Sequence, residues 1–443
     1  MTKKPFAIAI VGAAATLVLL AQSNVIIDIS KAGGKGTIAI PDFRGTGDAQ
    51  RFMGTFNQTL WSEIDQSGAF KMAPKTFYPL QVPQTAQDFK PGGPKLVDWS
   101  GPPVNATYLA FGYTAVKDNQ LVLFGWLYNV SENNLASAQL IGKVYFGTVD
   151  DAGAKKVAQD FAADILKQFN LVSLAGSKII FVSQRTGTKE IWMMDYDGSN
   201  QRDLTRYHSI TTMPSVSPDG ANVAYTSFAH GRPEIMIQSL ETGRHLVFYN
   251  QSASMNAQLS YFPDGKSVVF SSTASGGYAQ IYKSNANGSG LQRISNARAV
   301  EVEPKVNPRT GSEIVFVSGR SGPQQLYIMN ADGANVQRLT DGTGEASNPC
   351  WSPDGRFIAF AWTRGFEPGN FNIFIMDVAS REYTQLTHGV GRNENPTWAP
   401  DGRHIVFCSR RGGGFQIFTM LADGTQVKQL TTQGQNTMPV WTK

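Results

Sequence analysis

Cysteine is nearly absent, with only Cys350 and Cys408 in 443 residues. A disulfide framework is therefore excluded as the main source of stability, and the fold must rest on a buried apolar core. Histidine is scarce as well: His208, His230, His245, His388 and His404 show no His-x-His or His-x-x-x-His spacing, so the usual metal-ligand signatures are missing. No Gly-x-Ser-x-Gly occurs, which removes the nucleophile elbow of the α/β-hydrolases. Charge of one sign is not in strong excess. Lys and Arg number 39 against 34 Asp and Glu, and without a concentrated basic stripe this argues against nucleic acid as a partner. Long apolar runs are lacking, with one exception at the N-terminus.

That exception follows Lys3 and Lys4 and extends from Phe6 to Ala21, 16 residues. Ala21-Gln22-Ser23 puts small residues at both cleavage-determining positions, so residues 1–23 read as a secretory signal cut near Ser23. The run is shorter than the ~20 residues of a membrane span; an uncleaved anchor is the alternative. The expected product is a periplasmic monomer, peripheral to the membrane. Export permits a disulfide, yet both cysteines occupy slots that are apolar or small in the other repeats, and they read as two buried thiols.

What the chain has in quantity is glycine, 44 residues, and a period. Asn348-Pro349-Cys350-Trp351-Ser352-Pro353-Asp354-Gly355 returns as Asn395-Pro396-Thr397-Trp398-Ala399-Pro400-Asp401-Gly402. Met213-Pro214-Ser215-Val216-Ser217-Pro218-Asp219-Gly220 is an earlier copy. Aligned glycines at 220, 265, 311, 355 and 402 are 45, 46, 44 and 47 residues apart, the spacing of a repeat array. Each copy holds a first strand ending in a Pro-Asp-Gly-type turn, then a buried second strand at 179–183, 223–227, 268–272, 314–318, 358–362 or 405–409. A third strand follows at 190–195, 234–239, 280–285, 325–330, 372–377 or 416–421, and a fourth ends near Leu-Thr. Short β runs joined by Asp-Gly and Asn-Gly are antiparallel hairpins, and four per unit at this period make a propeller blade. A first strand is missing before Ile179, and an extra one, Met438-Pro439-Val440-Trp441, follows the last Leu-Thr. The expected fold is mainly β: a six-bladed β-propeller at 171–443, closed by its C-terminal strand, behind a small N-terminal α/β domain.

That domain is expected at 37–170. Residues 24–36 hold a short strand segment and a Gly-rich hinge. Residues 49–67 carry Phe52, Met53, Phe56, Leu60 and Ile64 at helical spacing, and 155–169 carry Val157, Phe161, Ile165 and Phe169. Strands are expected at 37–41, 108–116, 120–129 and 138–148.

Chemistry-bearing motifs are few. Asp195-Tyr196-Asp197-Gly198 looks like the start of a calcium loop, but Arg206 stands where the twelfth-position Glu belongs. Asn285-Ala286-Asn287-Gly288 and Asn330-Ala331-Asp332-Gly333 fall at the same place in other blades, which makes these hairpin turns. His208 and His388 read as exposed loop residues. No catalytic residue, metal or cofactor is expected.

The Ser-Pro-Asp-Gly turn, β-branched strand and Leu-Thr ending resemble the TolB family of the Tol-Pal cell-envelope system. The order of signal, strand segment, α/β domain and six blades matches across the mature chain. Blade four departs with Pro308-Arg309-Thr310-Gly311. Blade two departs with Glu241-Thr242-Gly243 and Val247-Phe248-Tyr249. The resemblance implies a non-enzymatic adaptor. Its propeller would bind the peptidoglycan-associated lipoprotein Pal, and the segment after the signal would bind TolA. The system supports outer-membrane integrity and constriction at division. Other outer-membrane proteins and bacteriocins are further implied partners.

The meander puts second-to-third loops and blade-to-blade loops on one face, the longer-looped and more varied one, where recognition usually sits. The residues expected there for Pal are Met213, Met255, Asn256, Glu301, Glu303, Asn348, Arg392, Asn393, Glu394, Asn395 and Met438. Packing beneath Pro214 and Pro439 is the alternative for Met213 and Met438, and a local turn role for Asn348 and Asn395. For TolA the segment is Asn24, Val25, Ile26, Ile27, Asp28, Ile29 and Ser30, with an ordinary edge strand as the alternative. An exported propeller enzyme or carbohydrate-binding protein is the competing reading.

Overall fold

The computed structural model describes residues 36–442 apart from Asn133 and Val390. The expected signal, the Asn24 to Ser30 segment and most of the hinge lie outside the described residues. Two compact units meet between Ala175 and Gly176, and each is described by itself. Among the described residues no helix is long and apolar enough to cross a membrane.

In the first unit, Tyr108–Lys117, Gln120–Asn129 and Gln139–Gly147 form an antiparallel meander, with Thr37–Ala39 parallel to Tyr108–Lys117 and Lys71–Met72 parallel to Thr37–Ala39. Helices Met53–Gln66 and Asp151–Gln168 cover it. Phe56, Leu60 and Ile64 on the first and Val157, Phe161 and Ile165 on the second are fully buried, as their spacing predicts. The second helix starts four residues earlier than expected, because the Asp150 side chain accepts the Gly153 N–H at 2.7 Å and caps it. The first opens with a 3-10 segment, Gly47–Phe52.

The second unit is the six-bladed propeller. Blade one is Asn436–Trp441, Lys178–Ser183, Glu190–Asp195 and Arg202–Asp203. Blade two is Thr211–Val216, Asn222–Ser227, Glu234–Ser239 and His245–Leu246. Blade three is Asn256–Tyr261, Ser267–Ser272, Gln280–Asn285 and Gln292–Arg293. Blade four is Glu301–Val306, Glu313–Ser318, Gln325–Asn330 and Gln337–Arg338. Blade five is Ala346–Trp351, Phe357–Trp362, Asn372–Asp377 and Tyr383–Gln385. Blade six is Arg392–Trp398, His404–Arg410, Phe415–Leu421 and Lys428–Gln429. The C-terminal strand pairs antiparallel with Lys178–Ser183, Asn436 opposite Ser183 and Trp441 opposite Ile179. The ring therefore closes without a covalent link, as expected.

Apolar side chains of successive blades interlock. Val315 and Val317 of blade four, for example, share a core with Trp351, Ile358 and Phe360 of blade five. The Leu-Thr ending has a physical role. Thr205, Ser295, Thr340, Thr387 and Thr431 take the N–H of Ile191, Ile281, Leu326, Ile373 and Ile417 on their hydroxyl oxygens. They hold the start of each third strand, where a buried N–H would otherwise lack a partner. Blade two has no such residue, and Asn250 replaces it, accepting from Ile235 N at 2.9 Å. Asp195-Tyr196-Asp197-Gly198 is a hairpin turn, with Gly198 N–H donating to Asp195 O at 2.9 Å.

Candidate functional site

Every first strand contains the same irregularity. The ladder to the second strand shifts register between Thr212 and Ser215, Ala257 and Ser260, Val302 and Lys305, Ser347 and Cys350, Glu394 and Thr397, and Thr437 and Val440. The bulge residue is left-handed each time. Met213, Gln258, Glu303, Asn348, Asn395 and Met438 have φ of 55°, 61°, 56°, 53°, 51° and 51°. In five of the six blades a proline follows, and it fits because a bulged residue has no ladder hydrogen bond to donate.

These six residues face one cavity on the propeller axis, about 160 Å³, walled by all six first strands. Around it they form a partial hydrogen-bonded ring. Glu303 N–H donates to Gln258 Oε1 at 3.1 Å, Asn348 N–H to Glu303 Oε2 at 2.6 Å and Asn395 N–H to Asn348 Oδ1 at 3.3 Å. Asn348 Nδ2 donates to Glu303 Oε1 at 3.2 Å. On the remaining arc Met438 and Met213 present thioethers, and Thr212 Oγ1 donates to Met438 Sδ at 3.0 Å. Four of the six ring positions are thus polar and two soft and apolar. Along the same strands Ser215, Lys305, Cys350, Thr397 and Val440 line the cavity too.

Burial pushes the Glu303 carboxyl above its usual 4.5, against the opposing pull of the Asn348 N–H and Lys305, while Glu394 adds to the rise. A carboxyl raised in the folded state favours folding below its ordinary value, and that contribution is lost as pH climbs through the raised value. Glu303→Gln should therefore lose less thermal stability than the parent on going from about pH 4 to pH 8. Melting curves across that range test this, and an identical pH dependence in both proteins would refute it.

Both cysteines are free thiols. Burial pushes Cys408 up to about 12 and also raises Cys350. Cys350 is only half-buried, because it borders the cavity, so the expectation of two buried thiols holds for Cys408 alone.

Several predicted contact residues need correction. Met213, Glu303, Asn348, Asn395 and Met438 lie within the innermost strands rather than on blade-to-blade loops, because the proline that suggests a loop occupies a bulge. Asn256, Glu301 and Asn393 are 0% exposed and cannot touch a partner in this conformation. Each lies at or next to the start of a first strand and accepts the hydroxyl of a serine at or next to the end of the second strand of the same blade: Ser272 at 2.7 Å, Ser318 at 3.0 Å and Ser409 at 2.8 Å. Met255 lies in a loop, half-buried. Arg392 is exposed, over the Phe371 ring at 5.4 Å and paired with Glu394 at 2.6 Å. Sequence reasoning missed Gln258, whose successor is Leu259 rather than proline; counting back two residues from Ser260, the equivalent of Ser215, would have found it. Among the described residues no group of three or more His, Cys, Asp or Glu could hold a metal ion.

A family model described as the TolB beta propeller domain matches residues 172–366 and 341–443. The chain belongs to the TolB propeller family. Among curated TolB proteins, the Tol-Pal system protein TolB of Paramagnetospirillum magneticum is 32% identical over 246 residues, 53% of this chain and 51% of the relative. The TolB homolog of Chlorobium chlorochromatii is 32% identical over 142 residues, 32% of this chain and 31% of the relative. The chain thus aligns with a third to a half of the length of these TolB relatives. The crystal structure of TolB from Acinetobacter baumannii is similar at a TM-score of 0.75 and 22% identity, covering 92% of this chain and 96% of that one. That likeness supports the TolB fold for both units.

Proposed function

We propose that this chain is a periplasmic, non-enzymatic adaptor of the Tol-Pal system, exported by residues 1–23. Its propeller docks Pal on the loop face around the channel mouth, and Asn24 to Ser30 capture TolA. The observation that carries this reading is the TolB propeller match across all six blades. It is supported by two features of the propeller. The channel mouth offers thioethers, which adapt to varied partners. The strand ends offer exposed charged side chains such as Arg392, the first residue of the blade-six inner strand, which steer and orient an encounter. In this reading the adaptor joins two partners through separate segments, in support of envelope integrity and constriction at division.

The test is capture from detergent-solubilised envelope of the host, using residues 24–443, the form lacking 24–30, and Arg392→Glu. Pal should come down with the first two and TolA with the first only. Arg392→Glu should weaken Pal capture roughly tenfold, the scale of losing a rim charge and placing a like charge against the partner. Recovery of neither partner, with stabilisation by an oligosaccharide instead, would favour the carbohydrate-binding reading.

A further inference from the structure

Blades one, four, five and six carry an arginine just beyond the second strand: Arg185, Arg320, Arg364 and Arg411. Each guanidinium lies over an aromatic ring of its own blade. Two have an internal carboxylate. Arg320 is paired with Glu301, and Arg364 Nη2 is 2.9 Å from Asp341. Arg411 donates from Nε to Ser409 Oγ at 3.0 Å.

Blade one, like blade six with Asn393, differs from blade four. The strand position that Glu301 holds there is Asn436 here, and no carboxylate pairs with Arg185. Its guanidinium is nevertheless held in place. Nε donates to Gln433 O at 3.0 Å, and the group sits 4.9 Å from the centre of the Trp192 ring. Gly434 leaves room for it, since a Cβ there would meet Arg185 Cγ at 2.7 Å. Within blade one, Arg185 Nη2, Thr188 Oγ1 and Trp192 Nε1 are buried without a hydrogen-bond partner. The Arg185 side chain as a whole is only partly buried, so its charge, with no carboxylate opposite it in this blade, is open to a counter-charge from outside. Loops 184–189, 410–414 and 431–435 contain four cationic residues, Arg185, Lys189, Arg410 and Arg411, and no Asp or Glu. The nearest acid in sequence, Glu190, is buried and already engaged by the Thr205 hydroxyl and the His208 N–H at 2.8 Å.

We propose that the loop face of blades six and one is a docking surface for an acidic protein segment, with one of its carboxylates anchored at Arg185. The planar guanidinium, stacked and tethered in advance, matches a carboxylate in shape and charge. This deepens the docking reading above by assigning the partner's chemistry, but its test does not use that partner.

The probe is a hexaglutamate peptide added to the full mature chain at constant ionic strength, followed through the Trp192 indole N–H resonance, which Trp192→Phe identifies. Saturable movement is expected with hexaglutamate, and none with hexalysine or added chloride. Arg185→Gln should weaken binding tenfold or more, on the scale of a lost charged hydrogen bond. Lys266→Gln, the same charge change at an exposed turn of the opposite face, should leave it within about twofold, as expected for a distant site. If Arg185→Gln does not fold, Arg411→Gln with Lys189→Gln should show the weakening. An unmoved Trp192 resonance would overturn the proposal. So would equal weakening by Arg185→Gln and Lys266→Gln, which would reduce the effect to overall charge.

Discussion

Deleting residues 436–443 is expected to abolish cooperative folding of the propeller. The lost strand supplies the first position of blade one, pairing with Ile179, Ile180, Val182 and Ser183. It also carries Met438 and Val440 of the cavity wall, and Trp441, whose Nε1–H donates to Ser177 Oγ at 2.9 Å. Without it the inner edge of Lys178–Ser183 faces the channel with unpaired backbone groups, and blades six and one lose the strand they share. Each unpaired buried group costs about 1–3 kcal/mol. Several together exceed a large part of the roughly 5–15 kcal/mol that typically separates folded from unfolded states. Circular dichroism on heating should show a broad, early transition in place of a sharp one. A truncated chain melting within about 2 °C of the parent, a shift worth under ~1 kcal/mol at this size, would show that the strand does not hold the ring.

Trp362→Ala should be among the most destabilising single substitutions, at about 3–5 kcal/mol. Trp362 is fully buried, with ring centroids 5.5 Å from Phe360, 5.3 Å from Phe374 and 5.1 Å from Tyr383. Its Nε1–H donates to Thr343 O at 2.7 Å. Blade five has exchanged a polar pair for an apolar one here. Trp362 stands where the five other blades have a serine at or next to the end of their second strand, and its cross-strand partner is Ala346, where blades three, four and six have Asn256, Glu301 and Asn393. Alanine would leave two small residues facing each other across a void and orphan the Thr343 carbonyl. Urea unfolding measures the loss, and a value below about 1 kcal/mol would mean that the neighbouring rings collapse into the space.

The architecture was readable because a period of about 45 residues repeats the same turn chemistry, and turn chemistry is local. Third strands such as Gln280–Asn285 and Gln325–Asn330 match their expected limits, and second strands begin one residue early. The channel ring was legible in most of its members but not in its place. A proline follows Met213, Glu303, Asn348, Asn395 and Met438, but a bulge looks like a loop in sequence because it breaks the alternation that marks a strand. Asn256, Glu301 and Asn393 are polar and sit near chain turns, so nothing local distinguishes them from exposed residues. Their burial depends on a serine 16 or 17 positions away in the same blade. Arg185 escaped notice for the same reason: its missing counter-charge shows only when Asn436 and Ser183, from opposite ends of the propeller, are seen side by side.

The six bulge residues carry one more consequence. Glycine is the residue that this left-handed backbone accepts without cost, and a methionine, glutamine or glutamate there works against local preference by about 1 kcal/mol or more. None of the six is glycine, although glycine is abundant elsewhere in the chain. A ring built for stability alone would have used glycine at these places. The side chains therefore stand as occupants that the backbone tolerates rather than requests. The pore rim can be refitted with different chemistry, one blade at a time, while the ladders behind it stay as they are.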